Sequence, residues 1–224
     1  MIDSSIRVRT VLFDLDGTLA DTAPDLAYAL NVLLESEGKK ALPYETIRPE
    51  ASHGGIALIK LGFGLNPEDP KFETLRKQFL EIYEQNIVRE TRLFDGIEQV
   101  LGNLEAQGIG WGVVTNKPEF LTKPLMDQLN LSQRASCIVS GDSTNNRKPH
   151  PEPLLYACQQ TGSNPRQCLY VGDAERDITA GHKAGMQTLV ALYGYIGRDD
   201  TPANWGADDL IDHPSEIINW LERS

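Results

Sequence analysis

The sequence of 224 residues lacks the features that mark several large classes of protein. Basic charge is scarce: 21 Lys and Arg stand against 32 Asp and Glu, and the net charge of −11 disfavours nucleic acid or an anionic membrane as a partner. No apolar run approaches the roughly 18 residues of a membrane span. The first ten residues contain no apolar secretory segment, so we expect a cytoplasmic protein.

Cysteines are few, and no dinucleotide-binding motif is present. Cys137, Cys158 and Cys168 are odd in number and lack CxxC spacing, which favours small buried residues over a disulfide framework. A GxGxxG motif is absent after the first apolar run, which disfavours a dinucleotide enzyme. The chain is 40% hydrophobic and can bury a core. Oligomeric state stays open, and a monomer is compatible with the sequence.

Short apolar runs without period-2 alternation indicate strands that are covered on both faces. Helical patterns separate them, so the prediction is an α/β fold, a Rossmann-like parallel sheet with helices on both faces. The predicted strands are 8–13, 110–114, 168–171, 187–192 and 208–211, and a closing helix is predicted over 214–221.

One stretch interrupts this alternation. Between residues 24 and 92 the patterns are helical only, with predicted helices at 26–35, 56–61 and 72–87. We therefore expect an all-helical insert after the first strand, with residues 20–91 as one domain and residues 1–19 and 92–224 as the α/β core.

Polar residues stand where the predicted strands end. In an open parallel sheet, ligands bind beyond the carboxyl ends of the strands, so these residues are candidates for one shared site. Each alone has a simpler interpretation: Thr115 as a cap, Lys148 as a surface charge, Asp173 as a helix N-cap. A calcium loop of the EF-hand type would need its glycine later than Gly17. The candidates are Asp14, Asp16, Gly17, Thr115, Asn116, Lys117, Lys148, Asp173 and Asp177.

Together these segments resemble the haloacid dehalogenase superfamily of aspartate-nucleophile phosphatases. The resemblance rests on DLDGT at 14–18, VVTN at 113–116, RKP at 147–149 and VGDAERD at 171–177, and it covers nearly the whole chain. It implies a phosphoric monoester hydrolase with the helical insert as a cap. An acid two residues after the nucleophile disfavours a dehalogenase, whereas a sugar phosphomutase would use the same core and remains an alternative.

The resemblance also implies a role for each motif residue. Asp14 is the nucleophile that forms an aspartyl-phosphate, and Asp16 is the proton donor and acceptor. Thr115 and Lys148 complete the catalytic set. Mg²⁺ would bind Asp14, Asp173 and the main-chain carbonyl of Asp16.

The remaining roles are supporting ones. Thr115 and Asn116, with the amides around Gly17, would donate hydrogen bonds to phosphoryl oxygens. Asp177 is expected to orient water or Lys148, and a helix-start charge is its simpler interpretation.

Substrate choice is expected from the insert. Arg48, His53, Gly54 and Gly55 lie where the family has its specificity loop, and Lys117 is a further candidate contact. Arg48 as a surface charge and His53 as a loop or capping residue are the simpler interpretations.

Further segments refine the substrate. TNKP, KPHPEPLL and Tyr193-Gly194-Tyr195 resemble phosphoglycolate phosphatases, while WGVVTNKP and residues 193–196 and 204–214 resemble related phosphatases of N-acetylmuramate 6-phosphate. The expected partner is a small carboxylated phosphate ester: N-acetylmuramate 6-phosphate first, phosphoglycolate as the alternative.

Overall fold

The computed structural model of the chain describes residues 7–223. Six strands form one parallel sheet in the order β5-β4-β1-β6-β7-β8. Their bounds are β1 Thr10–Phe13, β4 Gly110–Val114, β5 Ile138–Val139, β6 Cys168–Gly172, β7 Gln187–Ala191 and β8 Asp209–Ile211. Residues 1–6 and 224, which the predicted core includes, lie outside the described residues.

Helices cover both faces of this sheet, as expected. The bounds are α5 Ile97–Ala106, α6 Glu119–Gln128, α7 Glu152–Thr161, α8 Glu175–Ala184 and α9 Glu216–Arg223. Alternate residues of β1 point to opposite faces: Val11 and Phe13 join the core under α5, α6 and α9, while Leu12 joins the core under α7 and α8. Because both faces are buried, the strands are mostly apolar, which made them visible in the sequence.

The insert forms a helical segment of residues 23–85. It contains α1 Ala23–Ser36, α2 Tyr44–Ile47, the 3-10 turn Arg48–His53, α3 Gly54–Phe63 and α4 Phe72–Gln85. Apolar side chains of α1 and α4, among them Leu30, Leu33, Phe72 and Phe79, pack in one core that continues into the sheet. Among the helices of the described residues, none combines the length and apolar character that a bilayer crossing requires.

Two short strands at the base of this segment were not predicted. β2 Ala20–Asp21 and β3 Arg92–Leu93 pair antiparallel, next to the positions where the insert begins and ends. β5 was also missed. All three have two residues, too few for an apolar period to be recognised.

Candidate active site

The carboxyl edge of the sheet, meaning the residues that follow β1, β4, β5 and β6, brings the four motifs together. Asp14 follows β1, Thr115 follows β4 and Asp173 follows β6, while Lys148 lies in the loop after β5. The Lys148 ammonium lies 2.9 Å from the Asp14 carboxylate, although the two residues are far apart in the chain. The predicted convergence at one edge is therefore present.

Lys148 is the central cation of this edge. Its fully buried Nζ lies 2.8 Å from Asp177 Oδ1, as well as against Asp14, and it donates to the hydroxyl of Tyr170 at 2.7 Å and to the carbonyl of Val114 at 2.9 Å. A buried ammonium needs such partners because desolvation of an isolated charge is costly. Lys148 is thus held against two carboxylates.

Three buried carboxylates form an acidic triad. Oxygens of Asp14, Asp173 and Asp177 lie within 4.8 Å of one another. Burial, and then the charges of Asp14 and Asp177, raise the pKa of Asp173 from 3.8 to about 7. Burial also raises the pKa of Asp177, against the opposing effect of Lys148. A cluster of oxygen ligands whose charges repel one another in this way fits a divalent cation.

The side chain of Asp16 is directed away from this triad. Its Oδ1 accepts hydrogen bonds from Lys117 Nζ at 2.8 Å and from the Thr22 hydroxyl at 2.6 Å. Burial lowers the pKa of Lys117, but the Asp16 carboxylate and Tyr83 outweigh that effect and raise the pKa overall. These contacts occupy the carboxylate of Asp16, and the expected metal ligand, its main-chain carbonyl, stays a prediction.

A glycine is required directly after Asp16, where the chain passes close to Asp173. Gly17 has φ of 84°, and a Cβ there would collide with the Asp173 carboxylate. The same carboxylate accepts hydrogen bonds from the Tyr195 amide at 2.9 Å and from the Thr18 hydroxyl at 3.2 Å. Gly17 thus supports the site by permitting this close approach.

Asn116 is engaged differently from the prediction. Its carboxamide accepts from the Lys148 amide and donates to the Lys148 carbonyl, both at 3.0 Å. These two bonds leave the side chain occupied with the loop that carries Lys148. The side chain therefore holds the Lys148 loop, while Asn116 also lines the cavity, and its expected role as a phosphate donor stays a prediction that concerns its main-chain amide.

A cavity of about 260 Å³ lies between this edge and the helical segment. Asp14, Asp16 and Thr115 line it from the sheet, and His53, Gly54 and Gly55 line it from the helical segment. Its apolar wall consists of Leu26, Ile56, Phe79, Leu80, Tyr83, Pro118 and Leu121. The cavity is also lined by charged residues. Two are the acids Asp14 and Asp16, and the cations are Arg76, Lys117, Arg147 and Arg176.

Arg48 is not among the residues that line the cavity. Its guanidinium donates to the carbonyls of Gly194 at 3.0 Å and Tyr193 at 3.3 Å, and it lies 5.0 Å from the centre of the Tyr195 ring. These contacts connect the helical segment to the loop after β7. The predicted substrate contact of Arg48 is therefore not supported.

Sequence reasoning missed several residues of the cavity and of its immediate support. These are Thr22, Arg76, Tyr83, Arg147 and Arg176. Arg147 and Arg176 stand inside the RKP and GDAERD motifs, so position alone was an available signal. For Arg76 and Tyr83 there was none, because their places depend on how α4 lies over the sheet.

The chain is similar to proteins of known family. Residues 11–191 match the haloacid dehalogenase-like hydrolase family. An N-acetylmuramic acid 6-phosphate phosphatase of Pseudomonas aeruginosa is 41% identical over 98% of this chain and 97% of its own. A phosphoglycolate phosphatase of Xanthomonas campestris is 43% identical over 93% of this chain and 94% of its own.

A solved structure has the same fold. The crystal structure of a predicted phosphoglycolate phosphatase from Haemophilus somnus superposes with a TM-score of 0.85. It is 29% identical, and the match covers 95% of this chain and 97% of that one. The similarity therefore includes the helical segment as well as the sheet.

Proposed function

The chain belongs to the haloacid dehalogenase-like hydrolase family, and we propose that it is a Mg²⁺-dependent phosphatase of N-acetylmuramate 6-phosphate. Relatives that span nearly the whole chain are named as phosphatases, so the chain is a phosphoric monoester hydrolase. The observation that carries the proposed mechanism is the position of Asp14, which lines the cavity and contacts Lys148 at 2.9 Å.

The proposed reaction has two steps. A carboxylate oxygen of Asp14 attacks phosphorus, the bond to the sugar oxygen breaks, and Asp16 gives that oxygen its proton. Asp16 then takes a proton from water, which attacks the aspartyl-phosphate and releases phosphate. The two hydrogen bonds that Asp16 accepts from Lys117 and Thr22 suit its ionised form, the one that the second step uses.

The proposed metal would bind Asp14, Asp173 and the main-chain carbonyl of Asp16. When bound, Mg²⁺ would neutralise charge on the phosphoryl group. Asp177 contacts Lys148 at 2.8 Å, which supports its proposed role of orienting that lysine. Thr115 lines the cavity and is proposed to donate to a phosphoryl oxygen, together with amides near Gly17.

Cavity shape favours the larger of the two candidate substrates. Phosphoglycolate is a two-carbon acid and would leave much of the apolar wall without a contact. A muramate ring with its acetyl and lactyl groups would cover that wall, and Arg76 and Arg147 offer cations for the lactyl carboxylate. Phosphoglycolate remains the alternative, supported by the relative named for that substrate.

A comparison of kcat/KM values tests the substrate. The panel contains N-acetylmuramate 6-phosphate, phosphoglycolate, N-acetylglucosamine 6-phosphate and simple hexose phosphates. We expect the muramate ester to be preferred by about tenfold or more over the glucosamine ester, which lacks the lactyl carboxylate. A large preference for phosphoglycolate would overturn this substrate, and isomerised sugar phosphate in place of free phosphate would indicate a mutase.

We also propose the domain division and the cellular location. Residues 20–91 would act as a cap over a catalytic core of residues 1–19 and 92–224, which suits a cavity lined from both sides. The proposed location is the cytoplasm, and the proposed partner is the small phosphate ester alone, with no nucleic acid and no membrane.

A further inference from the structure

Arg176 connects the acidic triad to the helical segment. It precedes Asp177 in the first turn of α8. Its guanidinium donates to the Ser52 carbonyl at 2.7 Å and to the Ser52 hydroxyl at 2.9 Å, and it lies 3.2 Å from His53 Nδ1. Because arginine only donates, that ring nitrogen is the acceptor. All three partners belong to the turn Arg48–His53.

The charges of the triad also act on Arg176. Burial lowers the pKa of Arg176, but the charges of Asp177, Asp14 and Asp173 outweigh burial and raise the pKa overall. A guanidinium is a planar fork with fixed donor directions, unlike the ammonium of lysine. A fork carried by the first turn of α8 therefore presents its donors to the turn Arg48–His53 in one orientation.

Arg176 and the residues that it binds form part of the cavity wall. Arg176, Ser52 and His53 line the active-site cavity and also a second cavity of about 290 Å³, which Asp173 lines as well. These side chains thus separate the two cavities. The next residue along the chain, Gly54, lines the active-site cavity, so the turn that Arg176 holds leads directly into the substrate-facing wall.

We propose that Arg176 is a positioning residue for substrate binding. By holding Ser52 and His53 against the first turn of α8, it fixes the wall that faces the part of the substrate beyond the phosphate. This role rests on the proposed function for its substrate, but the placement of the turn does not depend on which ester is hydrolysed. The expected signature is therefore a change in KM and in the mobility of the turn, with little change in kcat.

Three variants separate the effect of the planar guanidinium from the effect of its positive charge. Arg176→Lys keeps the charge beside the triad but loses the fork, Arg176→Ala loses both, and Ser52→Ala removes one acceptor. Arg134→Ala is the control, since Arg134 also forms several hydrogen bonds but with Glu98 and Glu105, outside the cavity. The measurements are kcat and KM for N-acetylmuramate 6-phosphate and for acetyl phosphate, and amide hydrogen exchange in residues 47–55 without substrate.

For Arg176→Lys we expect KM for the sugar ester to rise about tenfold, because roughly one hydrogen bond of a charged group is lost. The value of kcat should change less than about threefold. The kcat and KM for acetyl phosphate, which lacks the sugar ring, should be unchanged. Amide hydrogen exchange in residues 47–55 should accelerate. Ser52→Ala should show the same effects more weakly. If exchange is unchanged, or if both esters lose kcat equally in Arg176→Lys, the positioning role is wrong.

The exchange measurement separates this inference from the proposed function. Failure to hydrolyse the muramate ester would overturn the proposed substrate while leaving the exchange result as evidence about the turn. Unchanged exchange in Arg176→Lys with a normal substrate preference would overturn the positioning role alone.

Discussion

The carboxyl edge of the sheet and the helical segment face each other across one cavity but are held in different ways. At the edge, Lys148 and Asp177 are fully buried, and each carboxylate or ammonium has several partners at hydrogen-bond distance. In the helical segment, His53 is exposed, and Arg48 reaches the core only through main-chain carbonyls and one ring.

The comparison shows which part of the site is positioned by the neighbouring stretch of chain. Asp14, Thr115 and Asp173 stand directly after strands whose positions the sheet determines, so their places follow from the chain on either side. Residues of the helical segment reach the cavity only because whole helices lie against the core. Under the proposed function, the chemistry would therefore depend on residues at strand ends, and substrate choice would depend on how the helical segment packs against the sheet.

The largest effect is expected at the edge, from Asp14→Asn. The amide has nearly the shape of the carboxylate but cannot act as the nucleophile, so turnover should fall by about 10⁴ or more with the fold retained. Phosphate release measures the turnover, and circular dichroism shows whether the fold is retained. Asp127→Asn, an exposed change on α6, is the control. Substantial phosphatase activity in Asp14→Asn would remove Asp14 as the nucleophile.

The edge was predictable because its signals are local. Asp14, Thr115 and Asp173 follow apolar runs that are buried on both faces, and such runs are visible without knowledge of the fold. What the sequence did not reveal is which way each side chain turns. Asp16 pairs with Lys117, and Asn116 holds the Lys148 loop, because partners far away in the chain compete for those groups.

A smaller loss is expected from Asp16→Asn, about 10²–10⁴ in kcat, because one proton transfer is removed from each step. An activated ester such as p-nitrophenyl phosphate needs no proton on its leaving oxygen. With that ester the variant should release one equivalent of p-nitrophenolate in a rapid burst, followed by slow hydrolysis of the aspartyl-phosphate. Equal losses for activated and sugar esters, with no burst, would argue against Asp16 as the acid.

The acidic triad should make metal-free stability fall as pH rises. The raised pKa of Asp173, about 7, means that the folded state keeps a proton which the unfolded state has lost above about pH 4. Stability of the wild type relative to Asp173→Asn should therefore decrease between about pH 4 and about pH 7, by about 5 °C in Tm. Saturating Mg²⁺ should reverse the loss in the wild type alone. A flat difference without Mg²⁺, or a decrease that Mg²⁺ leaves unchanged, would contradict this account of the triad.

The helical segment was predictable only as a set of helices. Periodic apolar positions indicated α1, α3 and α4, but the contacts of Arg48, Tyr83 and Arg76 depend on where those helices come to rest. Tyr83 lies beneath the cavity with Lys117 4.5 Å from its ring, an arrangement with no signature in the sequence around either residue.

The smallest effect on activity is expected from Arg48→Ala, which tests the helical segment where it contacts the core outside the cavity. Two hydrogen bonds to main-chain carbonyls and a cation–π contact are lost, so the free energy of unfolding should fall by about 1–2 kcal/mol, or about 3–6 °C in Tm. KM should change less than about threefold, since Arg48 does not line the cavity. Thermal unfolding and steady-state kinetics on the same preparation give both values. A tenfold rise in KM without loss of stability would mean that Arg48 contacts substrate after all, and that the two sides of the cavity are more alike than their packing indicates.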